Sequence, residues 1–102
     1  MIRPTGAIPE PLFRREIRRG FQVRDIAIPA GCRLAYDPAQ WQDAMVVVRH
    51  GRLELECLDG RRRVFGPGDM LPFVGLGLRT IHNAGIGALT LIAVARRPRP
   101  LP

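Results

Sequence analysis

The chain has 102 residues, 46% of them hydrophobic and 25% charged, a size and balance that fit one globular domain and leave little room for a second or for wholesale disorder. Eleven Gly and ten Pro, spread between short apolar runs, exclude a helical bundle and predict the turns of an all-β domain. The net charge of +7 is carried by sixteen Arg with no Lys, which favours anionic partners because guanidinium groups fork onto phosphates and carboxylates.

Nucleic acid is not predicted as the main partner, since the chain has one Trp, one Tyr and four Phe, no recognition-helix pattern and no zinc-finger spacing. The N-terminal MIRPTGAIPEP lacks the continuous apolar stretch of about 7–15 residues that an export signal needs. The longest apolar run, Ala88 to Ala95, falls far short of the roughly 20 residues of a membrane span. A cytoplasmic protein with no membrane partner is expected. Cys32 and Cys57 are then expected as small core residues rather than a disulfide.

In chain order, residues 1–20 read as an N-terminal arm or edge segment, Pro-rich over 1–12. Phe13 to Gly20 fits one or two helical turns or an edge strand. The β pattern begins at Phe21 and runs through Ile28, stopped by Pro29-Ala30-Gly31. A short strand is predicted over Arg33 to Tyr36, and Met45 to Val48 has the apolar, β-branched character of a central strand. Leu53, Leu55 and Cys57 alternate with Glu54 and Glu56, the period of a half-buried strand. Asp59-Gly60 predicts a two-residue type I′ hairpin, which places Leu55 opposite Val64 and Glu56 opposite Arg63. Further strands are predicted over Met70 to Val74, Leu78 to His82 and Ala88 to Ala95, with Gly/Pro corners between them. The β domain is assigned to residues 21–96 and a loose Pro/Arg tail to 97–102.

Glycine spacing selects among sandwiches, barrels and jelly rolls. Gly31 and Gly51 match both ends of the pattern G-x5-H-x-H-x4-E-x6-G, and Gly68 and Asn83 match both ends of G-x5-P-x-G-x2-H-x3-N. The chain thereby resembles the cupins over roughly residues 21–96. The resemblance implies a double-stranded β-helix, or jelly-roll barrel, that often pairs as a homodimer. It also implies a metal site whose ligand positions here hold Asp37, Ala39, Ala44 and Arg79. Only Asp37 among these is a donor, and Arg79 brings a fixed positive charge, so no metal cofactor is expected.

The expected function is therefore a metal-free barrel that binds a small anionic or aromatic molecule. The resemblance aims Arg79 into the barrel, as an anion anchor, as an internal partner of Asp37, or snorkelling to the barrel mouth. Asp37 is the candidate acid or base, set against a plain turn role beside Pro38. Tyr36, Gln40 and Trp41 are placed at the pocket rim, Trp41 either stacking on a ligand or capping the core. Two alternatives stand beside this reading. One is a metal-independent isomerase, cyclase or lyase using Asp37 and Arg79. The other is an Arg-rich surface for nucleic acid or protein, with Arg61-Arg62-Arg63 as its charge run. His50 and His82 are expected on the surface or at an interface.

Overall fold

The computed structural model describes residues 13–18, as a strand, and residues 21–96. The arm expected over 1–12 and the tail expected over 97–102 lie outside the described residues. The elements are β1 (Phe13–Arg18), β2 (Phe21–Ile28), β3 (Arg33–Ala35), α1 (Pro38–Trp41), β4 (Met45–His50), β5 (Leu53–Cys57), β6 (Arg62–Phe65), β7 (Met70–Pro72), β8 (Leu78–Asn83) and β9 (Leu89–Arg96). They form two antiparallel sheets, ordered β1-β2-β9-β4-β7 and β3-β8-β5-β6. Of the two readings open for the segment after Phe13, the edge strand is the one adopted, paired with β2 from Phe13↔Ile26 to Arg18↔Phe21. Among the described residues no helix is long and apolar enough to cross a membrane.

Strand alternation builds the core. Ile26 and Ile28, Val46 and Val48, and Leu89, Leu91, Ala93 and Ala95 turn inward from the five-stranded sheet. Leu34, Leu53, Leu55 and Ile81 meet them from the other sheet, so the interior of the barrel is a continuous apolar cluster. Among the described residues the buried polar exception is Asn83.

The four positions that matched the two sequence patterns all lie where the chain passes from one sheet to the other. Gly31 separates β2 from β3 with φ 77° and donates its N–H to the Asn83 carbonyl at 2.9 Å. Gly51 separates β4 from β5 at φ 90°, and an added Cβ would stand 2.8 Å from the Ala88 carbonyl oxygen. Only glycine fits that approach. Gly68 turns the corner from β6 to β7 and bonds the Val48 carbonyl. The Asn83 amide donates to the carbonyls of Ile28 and Gly87, both at 2.8 Å, and its oxygen accepts the Gly85 N–H. These groups stitch one end of the barrel together.

Two sequence expectations are corrected. The β5–β6 loop has three residues, Leu58-Asp59-Gly60, not two. Gly60 takes φ 90°, Gly60 N–H bonds the Cys57 carbonyl, and Cys57 N–H bonds Arg61, the geometry of a turn followed by a bulge. Asp59 reinforces it by accepting the Arg61 N–H at 3.0 Å. The extra residue shifts the ladder, so Glu54 faces Val64, Leu55 faces Arg63 and Glu56 faces Arg62.

The second correction concerns β8. Its register against β5 jumps from Glu56↔Thr80 to Cys57↔Leu78, leaving Arg79 as the extra residue of a bulge. Leu78 takes the inward place and Arg79 is exposed.

Candidate functional site

The opposite end of the barrel is formed by α1, the β7–β8 loop and the β5–β6 hairpin. Every residue the sequence placed at a pocket lies here. Asp37 is exposed and caps α1, its Oδ1 accepting the Ala39 N–H at 3.0 Å, so it has the plain turn role. Trp41 is 1% exposed and packs on Phe73 with ring centroids 4.8 Å apart. It caps the core and does not line a rim. Tyr36 is half-buried and meets Phe73 edge-on at 6.3 Å, and Gln40 is half-buried on α1. Arg79 does not enter the barrel, and its Nη2 donates to the Leu58 carbonyl at 3.3 Å. Asp37 and Arg79 thus bind separate backbone groups and form neither a shared pocket nor the internal ion pair.

Two other cations hold inward-facing strand positions, the half-buried Arg24 and the exposed Arg63, which the sequence had placed on the outer side opposite Glu56. Arg24 shares its strand parity with Ile26 and Ile28, and its guanidinium lies 5.6 Å from the centre of the Trp41 ring. Counting by twos back from Ile28 would have found it. Arg63 reaches the inner side of its sheet because the hairpin loop has an odd length. It stands opposite Leu55 and over the Phe65 ring, 5.7 Å from its centre.

Arg63 borders a cleft of about 500 Å³ between the β5–β6 hairpin and the β7–β8 loop. Its floor is apolar: Leu55 and Leu78, both buried, with Phe65 and Leu76. Its rim is basic, with Arg61, Arg62 and Arg63. Arg61 Nε is paired with Asp59 at 2.8 Å, and the Arg61 backbone N–H together with this side-chain contact holds Asp59 below the ordinary carboxylate range. Arg62 turns outward, 3.8 Å from Glu56. Leu58 ties the two walls of the cleft together: its N–H bonds the Gly77 carbonyl at 2.7 Å while its own carbonyl holds Arg79.

The outer face of the four-stranded sheet is polar. His82 Nδ1 lies 3.0 Å from Glu54, and this hydrogen bond holds the Glu54 carboxyl below its ordinary value. Thr80 donates to Glu56 in the next row. His82 faces away from the interior, as alternation predicts, and His50 is exposed at the end of β4.

No family model matches the sequence, and no curated protein sequence matches it. Solved structures do match its shape. The cupin domain of an XRE family transcriptional regulator from Enterobacter cloacae is 23% identical, with a TM-score of 0.61 over 78% of this chain and 84% of that one. A cupin domain from Bordetella pertussis tohama i is 16% identical, with a TM-score of 0.63 over 96% of this chain and 100% of that one. The chain folds as a cupin. Ectoine synthase from P. lautus is 21% identical, with a TM-score of 0.63 over 85% of this chain and 64% of that one. Structures of similar shape thus include a domain of a regulator and an enzyme.

The residues at the cupin ligand positions do not fit a divalent metal. Ala39 and Ala44 have no donor atoms, Arg79 is a cation in a surface bulge, and the Asp37 carboxylate is committed to a helix cap. Among the described residues, no three His, Cys, Asp or Glu side chains gather as a metal would require.

Proposed function

We propose that this cupin is a metal-free binding barrel that takes a small organic anion in the cleft beneath Arg63, in the cytoplasm, where its two free thiols stay reduced. The observation that carries the reading is Arg63 itself, a guanidinium turned to the inner side of a sheet, above an apolar floor and over Phe65. A concave, largely apolar floor with a few convergent polar groups is the usual make-up of a small-molecule site. The alternative enzyme, with Asp37 as acid or base and Arg79 stabilising charge, has less support because the two side chains bind separate backbone groups. A nucleic-acid surface is weakened by the pairing of Arg61 and Arg62 with neighbouring carboxylates.

The test is a thermal-shift screen of small carboxylates and phosphates on the wild type and on Arg63→Gln, with metal analysis of the purified protein. The expected result is stabilisation by at least one organic anion that Arg63→Gln abolishes. Stoichiometric bound metal, or shifts indifferent to Arg63, would overturn the reading.

A homodimer is proposed alongside it. On the outer face of the five-stranded sheet, Met70 lies beside Val47 and Val47 beside Ile92, while Met45 lies beside Val94 and Val94 beside Val23. Such an apolar surface is suited to packing against a second copy of itself.

A further inference from the structure

Resting on that reading of the cleft, we infer the class of its ligand: a monoanion, a carboxylate with an unbranched or flat hydrocarbon body, and not a phosphorylated or polyhydroxylated molecule. Two observations carry this. The first is charge. Of the three rim arginines, Arg61 is neutralised by Asp59 at 2.8 Å and Arg62 leans toward Glu56 at 3.8 Å, on the outer face. Arg63 contacts an aromatic ring rather than a carboxylate, so the cleft presents one uncompensated guanidinium. A single planar fork matches the two oxygens of one carboxylate. A phosphate monoester, with nearly twice the charge, would find one partner where it needs two.

The second observation is the chemistry of the floor. Leu55, Phe65, Leu76 and Leu78 offer no hydrogen-bonding side-chain atoms and Cys57 beside them only a weak thiol, while Leu55 and Leu78 are 1% and 5% exposed, so the floor continues into the core. Hydroxyl groups buried there would be left without partners, whereas methylenes or an aryl face would lose water at no such cost. The Arg63–Phe65 stack sets the charged end at the rim and directs the body inward toward Leu78.

The experiment is calorimetric titration of the full chain with butanoate, hexanoate and octanoate, and with hexanamide, glucose 6-phosphate and inorganic phosphate as controls. Affinity should rise about fourfold per methylene from butanoate upward, the factor for burying one CH₂. Hexanamide should bind at least about tenfold more weakly than hexanoate. Arg63→Gln should bring hexanoate down to the amide's level, and Leu76→Asn should flatten the chain-length series while leaving the acid–amide difference in place. Circular dichroism on both variants separates these effects from misfolding, and Arg63→Lys, which keeps charge but not the fork, should fall between. Tighter binding of glucose 6-phosphate that still depends on Arg63 would overturn the ligand class and leave the cleft as an anion site. Equal binding of acid and amide, or a flat chain-length series in the wild type, would overturn the class as well. If none of the probes binds, the cleft reading fails and this one with it.

Discussion

Arg63 faces Leu55 across the β5–β6 ladder, on the inward side of the four-stranded sheet. A charged residue holds a core-side position there because the hairpin loop has three residues, with Gly60 at φ 90°. Gly60→Ala meets no neighbour within 4 Å, so its cost is purely conformational. We expect a loss of about 1–2 kcal/mol, read by urea denaturation. A near-neutral result would show that the loop tolerates another turn type.

Gly51→Ala should cost more than Gly60→Ala. The same positive φ is joined by steric overlap, with the new Cβ 2.8 Å from the Ala88 oxygen and 2.9 Å from the Leu89 Cα, both backbone atoms. A loss of at least about 2 kcal/mol is expected, with the melting temperature as the readout.

Asn83→Ala should destabilise by about 2–4 kcal/mol, since the carbonyls of Ile28 and Gly87 both lose their donor. Asn83→Asp keeps the shape but replaces the donor with an acceptor, and should cost at least as much at neutral pH. Protonating that Asp in acid should recover part of the loss.

The His82 hydrogen bond holds Glu54 below the ordinary carboxylate value. A depressed carboxyl stabilises the fold above the unfolded-state pKa, and that contribution disappears as pH falls through the folded value. Denaturation curves of the wild type and Glu54→Gln should therefore differ at neutral pH and converge in acid. A gap that is constant with pH would rule out the Glu54 linkage.

Val47 sits between Met70 and Ile92 on the outer face of the five-stranded sheet. If that face joins two copies, Val47→Lys should shift a dimer to a monomer by light scattering while the circular dichroism spectrum is retained. A wild type that is already monomeric would end the pairing proposal.

Much of the scaffold was legible because its signals are local. Gly31, Gly51, Gly68 and Asn83 fix the crossings between sheets, and each has a backbone reason for its identity. The site was less legible because it depends on parity, and parity fails wherever one residue is added. The loop at Leu58–Gly60 moved Arg63 from the solvent side to the inner side, and the bulge at Arg79 did the reverse. Neither insertion has a signature in composition or in hydrophobic period. Helix α1 was missed for a different reason, since four residues are too few to show a 3.6-residue repeat.

The bulge on β8 also bears on how this barrel could be changed. Writing histidine and glutamate into positions 37, 39, 44 and 79 would not build a metal centre, because a side chain at position 79 projects to the surface whatever its chemistry. Alternation would have to be restored first, by deleting Leu78 so that position 79 takes the inward place opposite Cys57. For a protein engineer, a metal centre in this barrel calls for a change of chain length, not of side chains alone.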